Sequence, residues 1–183
     1  MTSKTDKRPS GTSSGVSSGI SSTPAMQINV GIADYAVGDD GVTLATIGLG
    51  SCVAIALHSR RARIGALAHV LLPNAALSGG ADTPGKFAST ALPVMLRRMR
   101  ELGVTDDVEA RLVGGSSMFT ALLAPGAPSL GSRNVAAARA SCAEHGVTIV
   151  AEDVGGAHGR SVYFDVAAGT VLVHSIQMGD VSL

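Results

Sequence analysis

The sequence predicts an α+β fold, in which layered mixed β-sheets form a sandwich-like core flanked by two or three helices. Short apolar runs bounded by turn residues dominate the chain, as is typical of strands. Two helical patterns interrupt these runs without a regular strand–helix alternation, which argues against a doubly wound sheet. Hydrophobic residues make up 45% of the chain and aromatic residues only 3%, so the predicted core is mainly aliphatic.

The composition divides the chain into a tail and one domain. Residues 1–25 are rich in Ser, Gly, Thr and Pro and contain almost no apolar side chains. Ordering such a segment would cost conformational entropy without apolar burial in return, so we expect a disordered tail. The composition changes at Met26, and we expect residues 26–183 to form a single domain.

Apolar runs predict the strands of the first half of the domain. The runs are 28–37, 42–49, 52–58 and 64–73. The basic stretch around Arg60 and Arg61 separates the last two runs and predicts a hairpin with a solvated tip. Both arms of this hairpin are apolar at nearly every position, which predicts burial on both faces.

The second half of the domain combines two helices with further strands. Apolar residues recur at helical spacing within 85–103, where Pro93 predicts either a kink or a later start. A second helix is predicted over 132–146. The remaining runs predict strands at 108–115, 147–156, 160–166 and 169–176, the last two forming a hairpin.

Charge and cysteine content exclude several classes of function. Lys and Arg together number 14, as do Asp and Glu, so no net charge favours binding to nucleic acid or to an anionic membrane. No apolar run approaches the ~18 residues of a membrane span, and the N-terminus lacks a secretory signal. Two widely separated cysteines indicate a reducing compartment, so we expect a cytoplasmic protein without membrane insertion.

A glycine-rich turn precedes one of the two cysteines. The segment TIGLGSCVAIAL (46–57) places Cys52 where this turn enters an apolar strand. Glycines give the turn conformational freedom and leave room for a substrate to approach. Backbone N–H groups of the turn, at Gly50 and Ser51, are candidates to bind the oxyanion of a tetrahedral intermediate.

A histidine and a threonine complete a candidate catalytic set with Cys52. His69 lies in the facing arm of the predicted hairpin, where a neighbouring imidazole would lower the thiol pKa and act as acid and base. Thr46 carries a hydroxyl that can orient the imidazole. Spacing alone favours the alternative that Cys52 and His69 are ordinary core residues, since a Cys and a His in two apolar strands are more often core than a catalytic pair. It shows no zinc-ligand pattern and no dinucleotide fingerprint.

Several motifs resemble the CheD family of chemoreceptor glutamine deamidases. The resemblance rests on TIGLGSCVAIAL and IGALAHVLLP and continues through KFASTALPVMLRRMRELG, ARLVGGSSMF, RNVAAARASCAEHGVTIVAEDVGG and GRSVYFDVAAGTVLV. It implies a fold similar to deamidating bacterial toxins, with Cys52 as nucleophile, His69 as general base and Thr46 as the residue that orients it. It also implies hydrolysis of glutamine side chains in chemoreceptor cytoplasmic helices, no cofactor or metal, and CheC as a possible partner.

The chain departs from the family pattern at two helix starts. Ser89 and Ser132 stand where the family pattern has acidic residues, which affects the expectations for substrate choice and partner binding. Two alternatives therefore remain open. Beside the chemoreceptor deamidase, these are a regulatory partner of CheC with little catalysis and a thiol amidase of the same fold with another substrate.

Other chemistry-bearing residues have structural interpretations. Cys142 lies among alanines of the second predicted helix, which indicates core packing. His58 lies at a strand end beside polar residues, where we expect it to be solvated. His158 and Arg160 lie in GGAHGRS, whose glycines suit either a flexible loop that borders the active site or a plain surface turn, and the surface turn is favoured.

Overall fold

A computed structural model describes residues 26–74, 77, 83–105, 108–117 and 127–183. The predicted disordered tail, 1–25, lies outside the described residues. Among the residues described, no helix is long and apolar enough to cross a membrane.

Ten strands and two helices form in the described part of the chain. The strands are β1 Met26–Asn29, β2 Tyr35–Gly38, β3 Val42–Leu49, β4 Val53–Ser59, β5 Ile64–Val70, β6 Glu109–Gly114, β7 Thr148–Val154, β8 Arg160–Asp165, β9 Thr170–Ser175 and β10 Gly179–Ser182. The helices are α1 Ala88–Glu101, between β5 and β6, and α2 Leu130–Glu144, between β6 and β7.

The strands form two five-stranded mixed sheets. Sheet I has the order β1, β3, β8, β9, β10, and sheet II has the order β2, β5, β4, β6, β7. In each sheet one pair of strands is parallel, β1 with β3 and β6 with β7, and the remaining pairs are antiparallel. The layered α+β prediction is therefore confirmed.

Two hydrophobic clusters hold three layers together. Side chains of both sheets, such as Leu44 and Phe164 from sheet I and Leu67 from sheet II, form the core between the sheets. The opposite face of sheet II packs against α1 and α2 through residues such as Leu57 and Met95. The helices thus cover one face only, and sheet II is the middle layer.

The central hairpin of sheet II agrees with its prediction. β4 and β5 pair antiparallel with Val53 opposite Val70 and Ser59 opposite Ile64, around a turn whose arginines are exposed. Every residue of both strands is buried, as their continuous apolar character predicts. The hairpin therefore fixes the positions of those of its side chains that project between the two sheets.

The predicted single strand over 28–37 is wrong. The chain turns within this segment, so that β1 pairs with β3 in sheet I while β2 pairs with β5 in sheet II. Ala33 at the turn has a positive φ of 61°, and its N–H donates to the carbonyl of His69. Ile32, next to this turn, is exposed although it is apolar, so an apolar run conceals the break in the sequence pattern.

One of the two predictions made from Pro93, a later start of the first helix, is not met. α1 begins at Ala88 and includes Pro93, so a start after the proline is wrong. Ala91, Met95 and Met99 form its fully buried stripe. The sequence reading also missed β10, a short strand whose four residues are all exposed.

Candidate active site

Thr46 and His69 meet between the two sheets. Thr46 projects from β3 of sheet I and His69 from β5 of sheet II, and both side chains are only 1% exposed. The Thr46 Oγ1 atom lies 2.7 Å from His69 Nδ1 and 2.8 Å from the carbonyl oxygen of Val30. A carbonyl only accepts, so the hydroxyl donates its proton to Val30 and accepts a hydrogen bond from Nδ1–H.

This arrangement determines the tautomer of His69. With the proton on Nδ1, Nε2 of the neutral ring carries a lone pair. Nε2 is buried and has no hydrogen-bond partner among the described residues. Burial also lowers the pKa of His69 below its usual 6.5, which keeps the ring neutral. The imidazole therefore has a lone pair on Nε2 that is available to accept a proton.

Cys52 lies on the same side of sheet II as His69. It directly precedes β4, whose Ala54 pairs with His69, so Cys52 is diagonal to the histidine and faces the core between the sheets. Its side chain is 9% exposed. The thiol does not serve as a hydrogen-bond partner of Nε2 in this structure.

The thiol pKa differs from the expectation. Burial raises the pKa of Cys52 above its usual 9.0, and the residue's own backbone N–H opposes that rise. A nearby positive charge would lower the thiol pKa, but the buried His69 ring is neutral and supplies none. The pair therefore rests as a neutral thiol and a neutral imidazole.

Three consecutive carbonyls anchor the turn that carries Cys52. The carbonyl oxygen of Gly50 accepts from Ser116 N–H at 2.8 Å, and that of Cys52 accepts from Gly115 N–H at 2.7 Å. Between them, the carbonyl of Ser51 accepts from the Asn134 side chain at 2.8 Å. These contacts tie the turn to the end of β6 and to α2. They hold the turn by its carbonyls rather than by its N–H groups.

Arg160 is a buried residue, and the prediction of a surface turn is wrong for it. Its guanidinium makes two hydrogen bonds with the Asp153 carboxylate, at 3.0 Å and 2.8 Å. It also donates to Ser116 Oγ and to the Gly155 carbonyl, both at 2.8 Å. The glycine loop before β8 wraps around this side chain, and the Gly155 carbonyl accepts from a guanidinium nitrogen that Asp153 does not bind.

The prediction that His58 is solvated is also wrong. His58 is 3% exposed, and its Nε2 lies 3.0 Å from the carbonyl of Val166. Burial lowers its pKa below 6.5, opposed by the Val166 hydrogen bond and by nearby Glu109. Its strand ends under the adjacent β8–β9 turn, which covers the ring in a way that local sequence does not show.

The other singled-out positions fall outside this cluster. Cys142 is fully buried in the helix-facing core, as predicted, and burial raises its pKa to about 11. Ser89 and Ser132 are exposed, and Ser132 Oγ donates to the carbonyl of the α2 cap residue Ser129. Among the described residues, no three His, Cys, Asp or Glu side chains converge on a common point.

The sequence reading missed Asn134 and Ser116, whose contacts hold the Cys52 turn. Asn134 had a detectable signal, because it shares the buried face of α2 with Val135, Ala138 and Cys142. A fully buried amide on an apolar helix face requires polar partners. Ser116 gave no such signal, since serine after two glycines is ordinary loop composition.

The fold and these contacts define a class: layered α+β domains in which a threonine of one sheet contacts a histidine of the other, with a cysteine on the same face as that histidine. Residues 71–175 match the model of the family described as CheD chemotactic sensory transduction. The chain belongs to the CheD family.

Similar proteins from distant organisms support this membership. A Thermococcus kodakarensis protein, named a probable chemoreceptor glutamine deamidase CheD, is 40% identical over 157 residues, covering 85% of this chain and 97% of the relative. The chemoreceptor glutamine deamidase CheD of Thermotoga maritima is 36% identical over 156 residues, covering 85% and 96%. A Geobacter metallireducens relative with a similar name is 41% identical, covering 82% and 94%.

Proposed function

We propose that this protein deamidates glutamine side chains of chemoreceptors, with Cys52 as nucleophile and His69 as general base. The observation that carries the proposal is the Thr46–His69 hydrogen bond, which leaves a buried lone pair on Nε2, without a partner among the described residues, beside the strand that follows Cys52. The substrate class comes from the names of the CheD relatives. Amide hydrolysis through a thiol needs this pairing of nucleophile and base.

The first half of the reaction forms a thioester. Nε2 of His69 accepts the thiol proton as Sγ of Cys52 bonds to the amide carbon of the glutamine side chain. The carbonyl oxygen becomes an oxyanion. When it collapses, the C–N bond breaks, the imidazolium returns its proton to the nitrogen, and ammonia leaves. Starting from a neutral pair, proton transfer accompanies attack, since burial disfavours a preformed thiolate.

The second half hydrolyses the thioester. Water attacks the acyl carbon while Nε2 accepts a water proton, and the same proton passes to the leaving sulfur. The products are a glutamate side chain and the regenerated thiol. Thr46 keeps the Nδ1–H tautomer throughout, because its hydroxyl proton is held by Val30.

The turn before Cys52 supplies the oxyanion donors in this proposal. Gly50 and Ser51 have their carbonyls bound to Ser116 and Asn134, which fixes the peptide planes of the turn. The peptide plane of the Gly50 carbonyl also holds the N–H of Ser51, which is the preorganised oxyanion donor in this proposal, with the N–H of Gly50 as the second donor. Such preorganised donors each contribute about 10²–10³-fold in rate.

The direct test uses a purified chemoreceptor cytoplasmic fragment and follows ammonia release and conversion of glutamine to glutamate by mass spectrometry. We expect wild-type activity, and its loss in Cys52→Ser and His69→Ala. Cys142→Ser is the matched control, since that thiol lies on the opposite side of sheet II and should not matter. Full activity in folded Cys52→Ser would overturn the proposal.

Binding to CheC remains a prediction of the family resemblance. A regulatory partner with little catalysis would bind CheC equally well as wild type and as Cys52→Ala, while releasing no ammonia from receptor fragments. A thiol amidase with another substrate would release ammonia from small amides only. The receptor-fragment assay separates both from the proposed deamidase.

A further inference from the structure

Asn134 joins the two strand ends that carry the nucleophile and the base. Its side-chain nitrogen donates to the carbonyl of Ser51 at 2.8 Å and to the carbonyl of Leu71 at 3.0 Å. Ser51 directly precedes Cys52, and Leu71 lies two residues beyond His69. We propose that Asn134 is a positioning residue, whose carboxamide sets the separation of Cys52 and His69. This inference rests on the proposed function of that pair.

The chemistry of the contact admits only one orientation of the amide. Both partners are backbone carbonyls, which accept and do not donate, so the NH₂ group must face them. Each of its two hydrogens serves one strand end. Asn134 itself is fully buried, and its Oδ1 has no hydrogen-bond partner among the described residues. The side chain is therefore held by its two donated hydrogen bonds.

The position of the contact explains why it bears on the site. Val53 pairs with Val70 at the last rung of the β4–β5 ladder, so Cys52 and Leu71 lie just beyond it, where no ladder hydrogen bond holds the strands. Two carbonyl oxygens converge there on one nitrogen. Without the donor, two acceptors would face each other unpaired, which separates the strand ends.

A substitution in the same helix offers a matched control. Ser141 is also buried in α2, and its hydroxyl donates to the carbonyl of Ala88 at 3.0 Å. Ser141→Ala removes a buried side-chain-to-backbone hydrogen bond of α2 that is not connected to the Cys52 turn. It therefore reports what loss of helix anchoring alone does to the site.

The test measures the alkylation rate of Cys52 by iodoacetamide at neutral pH, read from the mass of the Cys52 peptide in the full chain. Because the reagent is small, receptor binding does not enter. We expect Asn134→Ala and His69→Ala each to slow alkylation about tenfold. The double variant should then be within about twofold of His69→Ala, because mispositioning has no further effect once the base is absent. Ser141→Ala should retain the wild-type rate.

Independent effects would multiply to about a hundredfold loss in the double variant and would overturn the positioning role. So would wild-type alkylation in folded Asn134→Ala, or an equal loss in Ser141→Ala. Asn134→Asp, which keeps the shape but places a carboxylate against two carbonyls, should also lose the His69-dependent rate. If both Asn134 variants fail to fold, the amide serves the fold and the inference fails. An unchanged rate in His69→Ala would instead overturn the proposed pair itself.

Discussion

At the scale of single residues, Thr46 decides which nitrogen of His69 can act as a base. Its hydroxyl proton is held by Val30, so it can only accept from Nδ1–H. Without it, either nitrogen could carry the proton, and only one tautomer has the lone pair directed into the site. A single hydroxyl thus links β3, β5 and the residue that follows β1.

Replacing Thr46 by valine tests this link. Thr46→Val keeps the shape but leaves Nδ1–H and the Val30 carbonyl unpaired, so we expect kcat for deamidation to fall about tenfold or more. KM for a receptor fragment should change little. Thr46→Ser retains the hydroxyl and should retain most of the activity. Equal losses in the two variants would contradict the tautomer argument.

The directions of the pKa shifts predict the pH dependence of the reaction. His69 must be neutral to accept a proton, and its pKa lies below 6.5. The rate of deamidation should therefore stay constant as the pH falls to 6.5 and should decline only at lower pH. The thiol pKa lies above 9.0, so in His69→Ala alkylation of Cys52 should rise only at alkaline pH. A thiolate that titrates near neutrality in the wild type would refute the neutral pair.

At the scale of elements, the first turn of α2 lies in direct contact with the end of β6. A Cβ on Gly131 would lie 2.3 Å from the carbonyl oxygen of Gly115 and 2.5 Å from that of Ser116. This close approach brings Asn134, one helical turn later, within reach of the Cys52 turn. Because Gly131 has no side chain, α2 can approach closely enough to hold the Cys52 turn, which belongs to the layer of sheet II.

Gly131→Ala should displace α2 from β6. Backbone atoms cannot yield as a flexible side chain can, so we expect a loss of about 1–3 kcal/mol in the free energy of unfolding, measured with urea. Cys52 alkylation should slow in the same variant. Gly31→Ala is the control, because a Cβ there meets nothing within 4 Å. Equal stability of the two variants would contradict the packing argument.

At the scale of the whole molecule, two buried histidines lie at opposite ends of the β4–β5 hairpin. His69 pairs with Ala54 near the start of β4, and His58 pairs with Gly65 near its end. Burial lowers the pKa of both below 6.5. Folding therefore disfavours the protonation of both histidines, one near each end of the hairpin.

This distribution predicts a loss of stability in mild acid. As the pH falls below 6.5, the unfolded chain binds protons that the native histidines do not, so the free energy of unfolding should decrease. Glu109 and Glu152, whose pKa values lie below the usual 4.5, contribute only at lower pH. Urea unfolding between pH 6.5 and pH 4.5 measures the effect. A flat profile across that interval would contradict it.

The sequence predicted those elements whose position depends on residues close together in the chain. The strand positions of β3, β4 and β5 were readable because apolar runs and turn residues bound them, and the Thr46–His69 contact was expected because a hydroxyl can orient an imidazole. The turn that moves the chain from β1 to β2, the burial of His58 and Arg160, and the raised Cys52 pKa were not readable. Each of these depends on an element distant in sequence that covers the residue.

The most direct measurement of the central claim is trapping of the thioester. Hydroxylamine added during turnover of a chemoreceptor fragment competes with water for an acyl-enzyme, converting the same glutamine positions to hydroxamates. We predict hydroxamate formation with wild type and none with Cys52→Ser. Deamidation that yields glutamate without any hydroxamate, or hydroxamate formation that persists without Cys52, would contradict the account.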